Sequence, residues 1–125
     1  MMMFASLLAT ATMASSQDDT MTKQNGMYVV NTTAIGSHVE GYNGPTPVKV
    51  YIKKNKVVKV EVLKNQESPK YLAKVKQAIL EKWNNLKVKN AAKQQVDAVT
   101  GATYTSEAII KNVQIGLDYY NTHKK

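Results

Sequence analysis

Hydroxyl side chains are concentrated in one short segment near the C-terminal end of the chain. Asp97–Ser106 reads DAVTGATYTS, with four serine and threonine residues, one glycine and one acid directly before an apolar repeat typical of a helix. The first backbone N–H groups of a helix have no partners inside it and carry partial positive charge, so they stabilise an anion. Gly101 permits a sharp turn and a close approach, and Ala102 keeps that approach open. The segment therefore suits a phosphate group, although a plain helix-capping role fits the same residues.

The spacing within this segment matches a known pattern. Asp97-x-x-Thr100-Gly101-Ala102-Thr103-x-Thr105 resembles the flavinylation motif of the FMN-binding domain family. That family includes the C subunit of sodium-translocating NADH:quinone reductase and the G subunit of the Rnf complex. Its last core threonine holds FMN through a phosphoester, so the resemblance implies covalent FMN on Thr103.

Two upstream segments extend the resemblance. Gly41–Pro45 looks like the family's Gly-Tyr-x-Gly-Pro, and Glu67–Pro69 looks like its Glu-Thr-Pro-Gly loop, with Ser68 in place of Thr and Lys70 in place of Gly. With the strands between them, these segments cover most of residues 41–120. The weaker candidates for flavin contact are Tyr42, Glu67, Ser68 and Tyr104.

The resemblance also implies a maturation partner. A threonine hydroxyl is a weak nucleophile unless a base activates it, and the nearest acid before Thr103, Asp97, is six positions away. The family relies on a magnesium-dependent FAD:protein FMN transferase, which splits FAD and leaves FMN on the threonine. Asp97 is then part of the signal that the transferase recognises, or a metal or turn ligand during transfer; an Asp that only stabilises its own turn is the alternative. Thr100, Gly101 and Ala102 would fix the shape of the loop, and we expect Thr105 to cap the helix.

The elements that must position this segment begin with a β-hairpin. Apolar and polar side chains alternate on both sides of a polar turn at Lys54 and Asn55, which predicts two antiparallel strands. The apolar positions are Val48, Val50, Ile52, Val58, Val60 and Val62. A further strand is expected from Met27, and a short one over Val96–Val99.

Two amphipathic helices complete the predicted domain. The first starts at Ser68-Pro69, because serine can cap a helix and proline is tolerated at its first position; the second starts near Thr105, with Glu107 in its first turn. Their apolar stripes comprise Leu72, Val75, Ile79 and Trp83, and Ile109, Val113, Gly116, Leu117 and Tyr120. The order predicts an α+β fold, a mainly antiparallel sheet with a β-hairpin packed against two helices.

Composition narrows the function classes. The chain of 125 residues has no cysteine, which excludes disulfides and thiolate metal sites, and its two histidines, His38 and His123, are expected on the surface without a metal. The formal charge of +8 would suit an anionic partner. The lysines are dispersed over polar faces and their spacing with aromatic residues does not suggest a stacking platform for single strands, so we expect no nucleic acid partner.

The N-terminal residues differ in composition from the rest of the chain. Residues 1–16 are uncharged, apolar and then rich in small residues, which is typical of a signal peptide or a short anchor, and 16 residues are too few to span a bilayer comfortably. Residues 17–26 are expected to be a flexible lead-in and residues 27–125 to form the FMN-binding domain. We therefore expect an exported protein, periplasmic or on the extracellular face of a membrane.

These predictions leave three hypotheses about function. The first is an electron-transfer flavoprotein or redox subunit that serves a membrane-bound or extracytosolic partner. The second is a self-sufficient flavin-dependent reductase of a small acceptor, although no nicotinamide fingerprint is present. The third is a non-enzymatic basic binding module in which the threonine-rich segment only caps a helix.

Overall fold

The computed structural model describes residues 20–124 and confirms the predicted α+β fold. Its four strands form one antiparallel sheet in chain order: β1 (Met21–Gln24), β2 (Met27–Asn31), β3 (Val48–Lys53) and β4 (Lys56–Val62). Its helices are α1 (Pro69–Ile79), followed by a 3₁₀ turn (Leu80–Trp83), then α2 (Val88–Ala91) and α3 (Thr103–His123). The predicted signal peptide at residues 1–16 lies outside the described residues.

The β3–β4 hairpin forms as predicted. Lys54 and Asn55 take positive φ angles of 52° and 62°, as the two central residues of a type I′ turn do. Val48, Val50 and Ile52 are fully buried on the face of β3 that meets the helices. Alternation along β3 therefore places its apolar side chains in the core and its lysines in water.

The predicted alternation along β4 is wrong at one position. Tyr51 pairs with Lys59 whereas Ile52 pairs with Val57, so Val58 is an extra residue in a β-bulge. The bulge shifts the side-chain alternation by one residue, which buries Val57 and leaves Val58 42% exposed.

The sheet begins earlier than predicted. Met21–Gln24 was expected to belong to a flexible lead-in, but it forms β1 and pairs with β2 along its whole length. Asn25 and Gly26 join the two strands with φ angles of 55° and 80°, values that Asn and Gly tolerate.

The predicted strand over Val96–Val99 is absent from the described structure. The free edge of β4 is taken by another segment, because Val57 N–H donates to the Leu86 carbonyl and Asn85 N–H donates to the Val57 carbonyl. That segment continues into the short helix α2, and residues 96–99 pair with no strand of the described sheet.

The helices cover one face of the sheet with the predicted apolar stripes. Val75, Ile79 and Trp83 are buried, as are the α3 residues Ile109, Val113, Gly116, Leu117 and Tyr120. Burial of a side chain of this size contributes about 1.5–3 kcal/mol. Gly116 lets α3 lie close against the sheet: a Cβ there would lie 3.1 Å from a Val50 methyl group.

Both histidines are exposed, as predicted. No helix within residues 20–124 has the length and apolar character needed to cross a membrane.

Candidate functional site

Helix α3 begins with an uncapped turn. Gly101 has a φ angle of +86°, Ala102 is the N-cap residue, and no side chain caps the helix. The first internal bond runs from Ser106 N–H to the Ala102 carbonyl, so the N–H groups of Thr103, Tyr104 and Thr105 have no partner inside the helix. No acidic residue lies in this turn, which leaves the positive end of the helix dipole available to an anion. The prediction that Glu107 lies in the first turn is wrong, because the helix starts at Thr103.

A buried serine fixes the loop before the helix. Ser106 Oγ accepts from Val99 N–H at 3.0 Å and donates to the Ala102 carbonyl at 2.7 Å. Ala102 N–H closes the same turn on the Val99 carbonyl. Sequence reasoning assigned no role to Ser106, although a hydroxyl residue one turn into a predicted helix can bond back to the preceding loop.

A single carboxylate joins three distant segments. Glu67 is only 5% exposed. Its Oε1 accepts from Tyr42 N–H at 2.9 Å and from the Thr105 hydroxyl, and its Oε2 accepts from Asn43 N–H at 2.7 Å. Asn65 Oδ1 in turn accepts from Glu67 N–H. Thr105 was predicted to cap the helix, and this is wrong: Thr105 is the third helical residue and its hydroxyl faces Glu67.

The turn at residues 41–44 packs directly on this carboxylate. A Cβ on Gly41 would lie 2.6 Å from Glu67 Oε1 and 2.8 Å from Thr46 Oγ1, closer than real side chains approach. Gly41 N–H donates to the Gly44 carbonyl at 2.7 Å and closes the turn. Glycine is therefore required at position 41 by contact with its neighbours.

These segments surround a cavity of about 320 Å³, lined by Tyr42, Tyr71, Gly101, Ala102, Thr103, Tyr104 and Thr105. The Thr103 side chain is exposed. Tyr42 and Tyr104 have ring centroids 6.3 Å apart and remain 72% and 65% exposed. Sequence reasoning missed Tyr71. It could have been found because it is an aromatic residue on the polar face of α1, outside the apolar stripe of Leu72, Val75 and Ile79.

The structure brings most of the predicted site residues to this cavity and separates a few from it. Asp97 and Thr100 are exposed in the preceding loop and do not line the cavity. The Asp97 carboxylate makes no hydrogen bond within residues 20–124, so the turn-stabilising alternative has no contact to support it. Neither Glu67 nor Ser68 lines the cavity. Glu67 lies behind Tyr42 and Thr105 in its wall, and Ser68 is the N-cap residue of α1.

A protein-family comparison matches residues 41–118 to the model described as the FMN-binding domain. This chain belongs to the FMN-binding domain family. The matched region runs from Gly41, beside Glu67, to Asp118 in α3, and so includes every residue of the cavity wall. A comparison with curated proteins finds no match.

The residues at the cavity fit FMN. Three helical N–H groups without partners inside the helix are the donors that a phosphate takes, and Gly101 leaves the approach clear, since a Cβ there would meet no atom within 4 Å. Exposed tyrosine rings suit a flat aromatic group. A cavity of about 320 Å³ is within the range of small-molecule sites, roughly 300–1,000 Å³.

Proposed function

We propose that Thr103 carries FMN through a phosphoester bond, and that the exported protein transfers electrons to or from a redox partner. One observation carries the proposal: an exposed threonine hydroxyl stands on the cavity wall at the uncapped start of a 21-residue helix. A phosphoester at this oxygen keeps one negative charge beside the unpaired N–H groups of the first turn, where the helix dipole stabilises it.

Attachment requires an enzyme from outside. Within residues 20–124, no side chain forms a hydrogen bond with the Thr103 hydroxyl, so the chain supplies no base to activate it. In the proposed step the Thr103 oxygen attacks the FMN-side phosphorus of FAD, the bond between the two phosphates breaks, and AMP leaves. The Thr103 proton passes to the transferase or to solvent. Magnesium bound by the transferase neutralises the phosphate charge during this step.

The exposure of the loop before α3 and of the first helical residues supports recognition by such an enzyme. Asp97, Thr100, Gly101, Thr103 and Tyr104 are all exposed. Below them the buried Ser106 and Thr105 hydroxyl groups hold the loop to the rest of the fold. The motif therefore presents an accessible side on a fixed backbone, and Asp97 has no described partner that would compete with the transferase.

The covalent link has a use in an exported protein. A tethered cofactor cannot be lost by dilution, because its effective concentration is set by the tether. When bound, FMN supplies one- and two-electron redox chemistry, and the protein supplies position and electrostatics. The formal charge of +8 would favour a reduced, anionic flavin, which predicts that the redox potential varies with salt concentration.

The attachment is tested by mass and fluorescence. The chain is produced together with an FAD:protein FMN transferase, as wild type and as Thr103→Ala, Thr103→Ser and Thr122→Ala. We expect the wild type to gain the mass of FMN less water and to fluoresce in a denaturing gel, and Thr103→Ala to lose both completely. Thr103→Ser keeps a hydroxyl group and should retain some flavin. Thr122→Ala removes an exposed threonine hydroxyl from the last turn of the same helix; it is the matched control and should retain flavin.

Covalent flavin on Thr103→Ala would show that the attachment residue is wrong, and a wild type of unmodified mass would remove the covalent proposal altogether. The carrier role is tested separately. Sustained turnover of a small acceptor by the purified, flavin-loaded chain with a nicotinamide donor would favour a self-sufficient reductase instead.

A further inference from the structure

Two strongly exposed tyrosines meet at the cavity from different parts of the chain. Tyr42 belongs to the turn at residues 41–44, and Tyr104 is the second residue of α3. Their ring planes are inclined by 31° and their centroids are 6.3 Å apart. Aromatic side chains exposed together beside a cavity are typical of a ligand-binding surface, because a protein gains nothing in stability by leaving them in water.

The spacing of this pair is close to that required by a flat ring. Stacked carbon atoms are about 3.5 Å apart, so a planar group between two rings needs about 7 Å from one ring to the other. The centroid separation of 6.3 Å is below this value and the ring planes are inclined by 31°, so the pair has to open and its rings have to turn parallel to admit such a group. Tyr71, which is also exposed, lines the same cavity from α1.

We infer that Tyr42 and Tyr104 form a slot that holds the isoalloxazine ring of FMN between their side chains, with Glu67 as the positioning residue that sets the slot. The inference rests on the proposed attachment of FMN to Thr103. Thr103 precedes Tyr104 in the same turn of α3 and lines the same cavity, so the tether ends beside the slot.

Glu67 sets the slot because one carboxylate holds both of its sides. It accepts from the backbone N–H of Tyr42 and from the hydroxyl of Thr105, the neighbour of Tyr104. Gly41 allows the turn to lie directly against this carboxylate. A glutamine at position 67 has nearly the same shape, but it replaces one acceptor oxygen by an NH₂ donor, which would face an N–H donor. Glu67→Gln should therefore loosen the slot without emptying the site.

The slot is tested on the flavin-loaded protein, with fluorescence yield and anisotropy measured per covalently bound flavin. A tyrosine stacked on a flavin quenches its fluorescence, so the wild type should be dim. In Tyr42→Ala and in Tyr104→Ala, the ratio of flavin with a stacked isoalloxazine ring to flavin with an unstacked one should fall about 3- to 10-fold. The emission of both variants should rise and its anisotropy should fall, and Glu67→Gln should give a smaller change in the same direction.

Two matched controls separate the slot from general effects. Tyr119→Ala removes a tyrosine from the far end of α3, where it stacks on His123, and should leave the emission unchanged. Glu107→Gln neutralises an exposed acid on the same helix and should also have no effect.

The failure of the slot can be told apart from the failure of the attachment. Flavin of full covalent mass whose emission is unchanged in the tyrosine variants, or changed only by Tyr104→Ala, overturns the slot and leaves the attachment intact. If the wild type carries no covalent flavin, the same variants are titrated with free FMN. The slot then predicts about 3- to 10-fold weaker binding for Tyr42→Ala and Tyr104→Ala, and equal affinities overturn it.

Discussion

The β3–β4 hairpin and the cavity at the start of α3 are held together in opposite ways. The hairpin joins residues that are close in the chain through a ladder of backbone bonds and an apolar face. The cavity joins the turn at residues 41–44 to α3 through Glu67, which lies 25 positions from Tyr42 and 38 from Thr105.

This difference predicts different responses to substitution. A ladder shares its stability over many groups, so one exposed side chain matters little. A buried carboxylate that satisfies three donors concentrates the stability of its surroundings in one residue, because its removal takes the acceptor from all three donors at once.

The largest effect on folding should come from Glu67→Ala. It leaves the N–H groups of Tyr42 and Asn43 and the Thr105 hydroxyl without an acceptor, and we expect the free energy of unfolding to fall by about 3 kcal/mol. Urea denaturation measures this loss. The hairpin counterpart is Glu61→Ala. The exposed Glu61 carboxylate accepts from the Tyr51 hydroxyl, and its loss should lower the free energy of unfolding by less than about 1 kcal/mol. Equal losses would mean that the cavity and the hairpin do not differ in this respect.

A smaller effect, of opposite sign, is expected in the hairpin turn. Lys54 has a φ angle of 52°, a conformation that asparagine adopts more easily than lysine, so Lys54→Asn should stabilise the protein by about 0.5–1 kcal/mol. The urea midpoint should rise without a change in slope, and the flavin content should not change. Lys53→Asn, in the adjacent strand position, is the control and should give no gain. If both variants behave alike, the turn is not under backbone strain.

The smallest effect concerns pH. The hydrogen bond from Tyr51 to Glu61 raises the pKa of the Tyr51 phenol, and partial burial and the Glu61 charge act in the same direction. A raised pKa in the folded state means that this contribution to stability is present below the ordinary tyrosine pKa of about 10, and that it is lost as the pH rises through the raised value.

Tyrosinate absorbance during alkaline titration measures this shift. Tyr51→Phe should remove one phenol that ionises above the ordinary range, and Glu61→Gln should move that ionisation back toward it. Burial also raises the pKa of Tyr120, with a further contribution from Tyr28, and neither variant should alter it. Loss of a phenol that ionises at the ordinary pKa would contradict the assignment.

The sequence alone predicted much of the fold that depends on local pattern, although the β1–β2 hairpin with its turn at Asn25 and Gly26 was missed. The alternation around Lys54 and Asn55 predicted the hairpin, and the helical spacing of apolar residues predicted both buried stripes. The motif from Asp97 to Thr105 and the segment from Gly41 to Pro45 indicated the family that the comparison shows. These features are readable because period, turn chemistry and motif spacing are properties of neighbouring residues.

Only the tertiary structure decided how distant segments meet. It assigned the edge of β4 to residues 85–88 instead of 96–99, and the bulge at Val58 shifted the buried face of β4 by one residue. It also started α3 two residues before Thr105, which turned a predicted cap into a partner of Glu67. A strand edge or a buried carboxylate has many possible partners along the chain, and only simultaneous packing and hydrogen-bond satisfaction select one of them.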